Sequence, residues 1–320
     1  MAKTPSKKLF KQASYGKIFV AGGTGFLGRH LVARLRRDKV PFVSASLSQG
    51  LDLRDAKQVA RFFIKEKPDV VINAAAPTGG IQFGYQKPGE IFFNNILMST
   101  NLIECARKAA VSLFVNPISN CSYPNMSGKP FREDQWWNGP IHESVLSYGL
   151  VRKASWVNAW AYNRQYGMNF INLILPNMYG PGDYTDEVKR HALSALVSKI
   201  ITAKRSGAKE VIILGSGKPI REWLYVEDGV EAIVRSLGVE PTIEPINIGS
   251  GTGISIRELA RLIKGAVGYK GKLVFNTEYP DGAAYKVLYV GRCKEIFHWL
   301  PSTDLKLGIK KTVKDFLERI

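Results

Sequence analysis

The sequence has few cysteines, and their spacing gives them no structural pattern. It contains three in 320 residues, Cys105, Cys121 and Cys293, with no Cys-x-x-Cys motif and no histidine at zinc-ligand spacing. A disulfide framework or a zinc-stabilised domain requires paired spacings of that kind. We therefore expect reduced thiols and no metal site.

Long hydrophobic runs are also lacking. No stretch of about 18 apolar residues occurs, and a helix needs roughly that length to cross a membrane. The first fifteen residues, MAKTPSKKLFKQASY, have no apolar centre of the kind that a secretory signal carries. These two absences predict a protein of the cytoplasm without a membrane partner.

Acidic residues are scarce relative to basic ones. Lys and Arg number 45 against 27 Asp and Glu, which gives a formal net charge of +18. Such a charge suits an anionic ligand and also attracts nucleic acid. No basic stretch interleaved with aromatic residues resembles a nucleic-acid module, so we expect no nucleic-acid partner. The lysines before residue 16 predict a basic flexible tail over residues 1–15.

Apolar segments alternate between the strand and helix periods in the first half of the chain. The pattern predicts strands at 17–21, 41–45 and 69–74, with helices at 25–37 and 55–65 between them. Further strands are predicted at 113–116, 170–174 and 211–214, and further helices at 96–109, 148–166 and 191–205. Alternation of this kind indicates a parallel sheet with crossover helices.

The predicted fold is therefore α/β, a Rossmann-type doubly wound parallel sheet with a smaller carboxyl-terminal lobe. Loops rich in Gly, Pro and Asp follow Pro176, where we place the start of that lobe. The predicted domains are a dinucleotide-binding domain at 16–175, returning around 223–250, and a mainly substrate-binding lobe at 176–320.

A glycine motif follows the first predicted strand and opens the first predicted helix. It reads Gly22-Gly-Thr-Gly25-Phe-Leu-Gly28. Glycines at these positions permit a tight turn and a close approach to a pyrophosphate, which the free N–H groups of the helix then bind. The context predicts a bound dinucleotide.

The end of the second predicted strand distinguishes NADP from NAD. The segment Ser44-Ala-Ser46-Leu-Ser48 carries no acid before Asp52. A carboxylate here would bind the ribose hydroxyls of NAD and repel a 2′-phosphate. We therefore expect NADP, with NAD as the alternative and the hydroxyls of Ser46 or Ser48 as ligands.

A tyrosine and a basic residue lie four positions apart at Tyr148 and Arg152. On a helix these two side chains are neighbours, and a cation there lowers the pKa of the phenol for proton transfer. Lys153 is rotated about 100° from that face. Ser119 follows a predicted strand, where its hydroxyl can bind a substrate carbonyl at the carboxyl edge of the sheet.

Six segments spread along the chain resemble, in order, those of the GDP-L-fucose synthase family within the extended short-chain dehydrogenases/reductases. They are Asn73-Ala-Ala-Ala76 with Gly79-Gly-Ile81, Ser119-Asn-Cys121-Ser-Tyr-Pro124, Tyr162-Asn-Arg-Gln-Tyr-Gly167, Asn177-Met-Tyr-Gly-Pro181, Gly215-Ser-Gly-Lys-Pro-Ile-Arg-Glu222, and Pro280-Asp-Gly282 with Lys286. Two positions depart from the family, which has lysine where this chain has Arg152 and arginine where it has Tyr285.

The resemblance implies an NADP-dependent epimerase/reductase that acts on a GDP-linked 4-keto-6-deoxy sugar. It implies that Cys121 and His191 exchange protons at C3 and C5, and that Ser119, Tyr148 and Arg152 serve the reduction at C4. It also implies that Asn177, Arg221 and Lys286 bind the nucleotide-diphosphate sugar, and that two copies pair through helices as a homodimer. The residues that we assign to the cofactor are Gly22, Gly25, Phe26, Leu27, Gly28, Ser46, Asp52, Leu53, Ala74, Ala75, Ala76 and Asn95, together with Tyr148 and Arg152.

Two alternatives remain open from the sequence. One is another nucleotide-sugar enzyme of the same fold, either an epimerase with tightly bound NAD or a C4 reductase of a different deoxy or heptose sugar. The other is a non-catalytic protein whose basic surface binds nucleic acid or a partner, which the changed Tyr148/Arg152 pair and the net charge favour.

Overall fold

A six-stranded parallel sheet forms the centre of the protein in the computed structural model, which describes residues 15–77, 81–126, 128–186 and 191–320. The strands are β1 (Ile18–Ala21), β2 (Phe42–Ala45), β3 (Val70–Asn73), β4 (Leu113–Ser119), β5 (Phe170–Leu175), β6 (Asn177–Tyr179), β7 (Glu210–Leu214), β8 (Ile220–Tyr225), β9 (Thr242–Asn247), β10 (Gly253–Ser255), β11 (Lys272–Asn276) and β12 (Tyr285–Lys286). The order in the central sheet is β2-β1-β3-β4-β5-β9.

Helices connect these strands and cover both faces of the sheet. They are α1 (Phe26–Arg37), α2 (Ala56–Glu66), α3 (Ile81–Gln86), α4 (Pro88–Lys108), α5 (Leu146–Tyr166), α6 (Ala192–Arg205), α7 (Val226–Ser236), α8 (Ile256–Val267), α9 (Gly291–Phe297) and α10 (Leu305–Arg319). No helix in the described ranges is long and apolar enough to cross a membrane. All but the last residue of the predicted tail at 1–15, and Gly79 and Gly80 of the family segments, lie outside the described residues.

Two apolar layers hold the sheet between its helices. On one face, Leu31 and Leu35 of α1 pack with Ile233 of α7 against the buried strands. On the other face, Phe63 of α2 and Leu102 of α4 belong to a second buried cluster. Strands β1, β3 and β5 are buried on both faces and therefore read as continuous apolar runs in the sequence. The predicted doubly wound parallel sheet is confirmed.

The strand predicted at 211–214 is present but lies outside the central sheet. This segment is β7, which pairs in parallel with β11 as a separate two-stranded sheet. The edge position next to β5 is taken by β9 instead. Ile212 and Leu214 of β7 are 44% exposed, whereas β1, β3 and β5 of the central sheet are buried on both faces.

A second, smaller group of elements follows β5. Here β8 pairs with β6, β10 and β12. Helices α6, α8 and α10 pack around another buried cluster that includes Leu193, Ile263 and Phe316. The boundary of the substrate-binding lobe at residue 176 stays a prediction.

The buried carboxyl group of Glu222 joins this smaller group together. Its two oxygens accept the N–H groups of Leu288 at 2.8 Å and Gly251 at 2.7 Å, and the Ser250 hydroxyl at 3.3 Å. Burial raises the pKa of Glu222 from 4.5 to about 7, and the three hydrogen bonds oppose this shift. The native state then holds a proton that the unfolded chain has already lost, so the contribution of Glu222 to stability falls as pH rises from about 4.5 to 7.

We expect Glu222→Ala to lower the free energy of unfolding by about 2–4 kcal/mol, because two buried N–H groups lose their acceptor. Urea denaturation at pH 6 measures the change. Glu227→Ala, which removes an exposed carboxylate on the next helix, is the matched control and should change little. Equal free energies of unfolding for Glu222→Ala and Glu227→Ala would contradict the role of Glu222 as a buried hydrogen-bond acceptor.

Candidate active site

The glycine motif forms a turn that only glycine allows. Gly22 has a φ of +80°, and its N–H donates to the Ala45 carbonyl at 2.8 Å. A Cβ atom on Gly22 would lie 2.8 Å from the Ala75 backbone, and one on Gly28 would overlap the Gly22 carbonyl. The first turn of α1 has no side-chain cap and no acidic residue. Its N–H groups at Phe26 and Leu27 are therefore suited to a pyrophosphate, although both side chains lie in the core.

A cluster of hydroxyl groups lies beside this turn. Thr24 Oγ1 is 2.8 Å from Ser46 Oγ and 3.0 Å from Ser48 Oγ, and the two serine oxygens are 3.1 Å apart. The nearby carboxylate of Asp52 binds the guanidinium of Arg54 at 2.7 Å, which holds the pKa of Asp52 below its usual value. Because Asp52 is paired with Arg54 and the cluster itself contains only hydroxyl donors, the cluster fits a 2′-phosphate. Ser46 and Ser48 are residues predicted to bind the cofactor, whereas Thr24 was not among the predicted ligands.

The remaining residues assigned to the cofactor lie around the same edge of the sheet. The segment of Ala74, Ala75 and Ala76 follows β3, and Ala75 is the backbone that Gly22 approaches. The Asn95 amide donates to the Pro77 carbonyl at 2.9 Å, which holds this segment against α4. The Leu53 side chain is buried in the core, and its backbone carbonyl accepts a hydrogen bond from the Asn101 amide.

The Ser119 turn and the Tyr148 helix meet directly. Ser119 Oγ accepts the Cys121 N–H at 3.1 Å, which fixes the turn after β4. Gly149, next to Tyr148, packs so closely on this turn that a Cβ atom would overlap the Cys121 carbonyl. The structure thus places the helix that carries Tyr148 against the turn of Ser119 and Cys121, while the catalytic roles of these residues stay a prediction.

Arg152 is buried behind the tyrosine. Its guanidinium carbon lies 5.9 Å from the centre of the Tyr148 ring, and Nη2 donates to the Pro117 carbonyl of β4. The neighbouring Lys153 points elsewhere, with its ammonium 4.5 Å from the centre of the Trp137 ring. Arg152, and not Lys153, is therefore the cation next to the phenol.

Two cations face the cysteine. The Lys286 ammonium donates to Cys121 Sγ at 3.6 Å, and Arg221 is the partner of Lys286 in the β8–β12 pairing. Burial lowers the pKa of Arg221, while the charges of Cys121 and Asp281 oppose this shift. Asn177, the third residue assigned to substrate, donates to the Glu222 carbonyl at 3.4 Å and lies on β6, which also pairs with β8.

His142 is a candidate that the sequence analysis missed. Burial lowers its pKa, and the positive charges of Lys286 and Arg221 lower it further. The Ser144 N–H donates to its Nδ1 at 3.2 Å, so the neutral ring carries its proton on Nε2. Its position beside the two cations depends on the tertiary fold, and no motif in the sequence marks it.

His191 lies on the cofactor side of the site. Its Nδ1 is 2.8 Å from Asp183 Oδ1, and its ring lies 5.6 Å from that of Phe26 in the glycine turn. The sequence analysis had identified His191 but not Asp183. The hydrogen bonds and ring contacts that the structure describes thus give two groups, one around Cys121 and one around His191.

Both groups lie where the strands of the central sheet end. The glycine turn follows β1, the alanines follow β3, Ser119 ends β4, and Asp183 lies beyond β5 and β6. In an open parallel sheet, ligands bind outside these carboxyl ends. The described residues show no group of three or more metal ligands at this edge or elsewhere.

Known proteins match this chain over nearly its whole length. The model of the NAD dependent epimerase/dehydratase family matches residues 18–249. A GDP-L-fucose synthase of Sinorhizobium fredii (strain NBRC 101917 / NGR234) is 36% identical over 304 residues, which are 95% of this chain and 96% of that protein.

Solved structures agree with the fold at lower identity. A GDP-6-OMe-4-keto-L-xylo-heptose reductase from C. jejuni has a TM-score of 0.90 and 27% identity, over 96% of this chain and 99% of that one. A GDP-L-fucose synthetase from Naegleria fowleri bound to NADP has a TM-score of 0.84 and 27% identity, over 95% and 93%. The chain therefore belongs to the NAD dependent epimerase/dehydratase family, in which it groups with the GDP-L-fucose synthases.

Proposed function

We propose that this chain is an NADP-dependent epimerase/reductase that acts on a GDP-linked 4-keto-6-deoxy sugar. The observation that carries the proposal is the close packing of the Tyr148 helix, at Gly149, on the turn of Ser119 and Cys121, with Lys286 donating to the cysteine sulfur. The 36% identity to a GDP-L-fucose synthase supports the same activity and argues against a non-catalytic protein.

The residues present fit the dinucleotide. The glycine turn offers N–H groups to its pyrophosphate, and the hydroxyls of Thr24, Ser46 and Ser48 suit a 2′-phosphate. A GDP-L-fucose synthetase with NADP bound is among the structural relatives, which supports NADP over NAD. When bound, NADPH supplies the hydride for C4 of the sugar.

The epimerase half of the reaction uses Cys121 and His191. A ketone at C4 acidifies the protons on C3 and C5, and a thiol and an imidazole can exchange protons near neutral pH. The Lys286 ammonium donates to Cys121 Sγ and so places a positive charge beside the sulfur. Arg221 and Lys286, side by side on β8 and β12, are suited to the sugar diphosphate.

The reductase half uses Tyr148 and Ser119. The phenol gives a proton to O4, and the serine hydroxyl donates a hydrogen bond to the same oxygen. The Arg152 guanidinium, 5.9 Å from the phenol ring, stabilises the phenolate that this transfer leaves behind. Arginine stays protonated, so its role is electrostatic.

A C4 reductase of a heptose is the second candidate. The heptose reductase from C. jejuni matches this chain with a TM-score of 0.90, against 0.84 for the NADP-bound GDP-L-fucose synthetase. The two candidates differ in whether the sugar must be epimerised before it is reduced.

Incubation with GDP-4-keto-6-deoxy-D-mannose and NADPH in deuterated water tests the proposal. We expect NADPH oxidation at 340 nm together with deuterium at C3 and C5 of the product. Cys121→Ser is expected to lower the deuterium incorporation by about 10²–10⁴-fold, the usual contribution of one acid/base group. Oxidation without deuterium would favour the heptose reductase, and absence of both would refute the proposal.

The buried guanidinium gives a further prediction. We expect Arg152→Lys to keep NADPH oxidation within about 10-fold of the unchanged enzyme, because the charge near Tyr148 is retained. Arg152→Met, which has similar length and no charge, should lower it by about 10²-fold or more. Single-turnover NADPH oxidation measures both, and thermal denaturation checks that each variant is folded. Equal rates in the two variants would contradict the electrostatic role.

The homodimer is a separate proposal, supported by exposed apolar side chains on two packed helices. Leu146, Leu150, Val157 and Trp160 of α5 are between 42% and 46% exposed. On α4, Phe93 is 60% exposed. Together these five residues form what we call the helix-pair face. A patch of this kind suits burial against a second copy, in a self-complementary interface.

We expect Leu150→Glu combined with Trp160→Glu to shift the protein to a monomer, because a dimer would bury both charges. Light scattering after gel filtration measures the mass. Ile212→Glu combined with Leu214→Glu, at similarly exposed positions on β7, is the matched control and should leave the mass unchanged. A monomeric mass for the unchanged protein would refute the proposal.

A further inference from the structure

Asp183 places a carboxylate next to His191 in the interior of the protein. Its side chain is fully buried, with an exposed fraction of 0%. Oδ1 is 2.8 Å from His191 Nδ1 and also accepts the N–H of Tyr184 at 2.9 Å. Oδ2 has no partner among the described residues. Burying a carboxylate is costly unless it is paired, so the imidazole is the partner that makes this position tolerable.

The turn that carries Asp183 is held from three sides. His30 of α1 lies with Nε2 2.9 Å from the Pro181 carbonyl. The Gly182 N–H donates to Asp315 of α10 at 2.9 Å. Gly180 faces Val226 at the start of α7, where a Cβ atom would lie 2.6 Å from the valine side chain. These contacts fix the carboxylate relative to the central sheet.

The imidazole is fixed on its other side by the cofactor turn. The rings of His191 and Phe26 are 5.6 Å apart, and His191 itself precedes the first residue of α6. With Nδ1 directed at Asp183, the remaining ring nitrogen is Nε2. The His191 side chain is 29% exposed, so part of the ring stays open to a ligand.

We propose that Asp183 is a positioning residue for His191. It accepts the Nδ1–H bond, selects the tautomer whose Nε2 is free to exchange protons, and holds the ring beside the cofactor turn. A carboxylate can only accept, so the ring nitrogen that faces it must carry the proton. This inference rests on the proposed role of His191 in proton exchange at C3 and C5.

The tautomer can be measured without any substrate. In ¹H–¹⁵N spectra of the imidazole nitrogens at alkaline pH, we expect His191 to carry its proton on Nδ1. His142 is the internal reference, because the Ser144 N–H donates to its Nδ1 and leaves its proton on Nε2. A proton on Nε2 of His191 in the unchanged protein would overturn the proposal.

Asp183→Asn tests the catalytic consequence. The amide has nearly the same shape, but its NH₂ group can donate to Nδ1 and favour the opposite tautomer. We expect deuterium incorporation at C3 and C5 to fall by about 10²-fold or more, with the affinity for NADPH unchanged. Asp315→Asn is the matched control, since its amide oxygen can still accept the Gly182 N–H that holds the same turn and it does not face the imidazole.

A double-variant cycle separates positioning from a merely structural effect. If Asp183 acts through His191, Asp183→Asn should add little to the loss in His191→Asn, and the two effects should not be additive. Additive losses, or an equal loss in Asp315→Asn, would overturn the proposal. If the unchanged enzyme exchanges no deuterium, the proposed function fails, whereas the tautomer measurement still decides the role of Asp183.

Discussion

Parallel strands place the side chains that follow them at a common edge, and this constraint organises the whole site. The parts of the site come from widely separated regions of the chain, yet each lies at or beyond the carboxyl end of a strand. They are the glycine turn, the three alanines and Ser119, at strands of the central sheet, and Asp183, beyond β5 and β6. Close backbone contacts at Gly22 and Gly149 then bring the neighbouring segments together. Because these contacts leave no room for a Cβ atom, the arrangement tolerates little variation.

Buried charges set the electrostatics of the site. Lys286 and Arg221 face the sulfur of Cys121, and Asp183 faces the ring of His191. The neighbours of the two proposed acid/base groups therefore differ in charge, since the thiol has positive neighbours and the imidazole has a negative one. This difference is a physical basis for distinct roles of the two groups in proton exchange.

The glycine turn and the alternating pattern were readable from the sequence because they are local. A glycine motif between a strand and a helix has few structural solutions, and continuous apolar runs identify strands that are buried on both faces. The local pattern predicted the strand at 211–214 but not its partner, since its pairing with β11 involves residues about sixty positions away. Roles assigned through family resemblance, such as that of His191, depended on motifs and not on periodicity.

The fold class, the dinucleotide turn, the family and most of the candidate residues can be predicted from the sequence, because these depend on short-range spacing and on motifs in a fixed order. The groups that contact these residues became apparent in the folded protein. The tertiary structure placed Lys286 on Cys121, Asp183 on His191, His142 near the two cations and Arg152 on the Pro117 carbonyl. These contacts join separate strands, helices and loops, and their energies depend on burial, which no single stretch of sequence specifies.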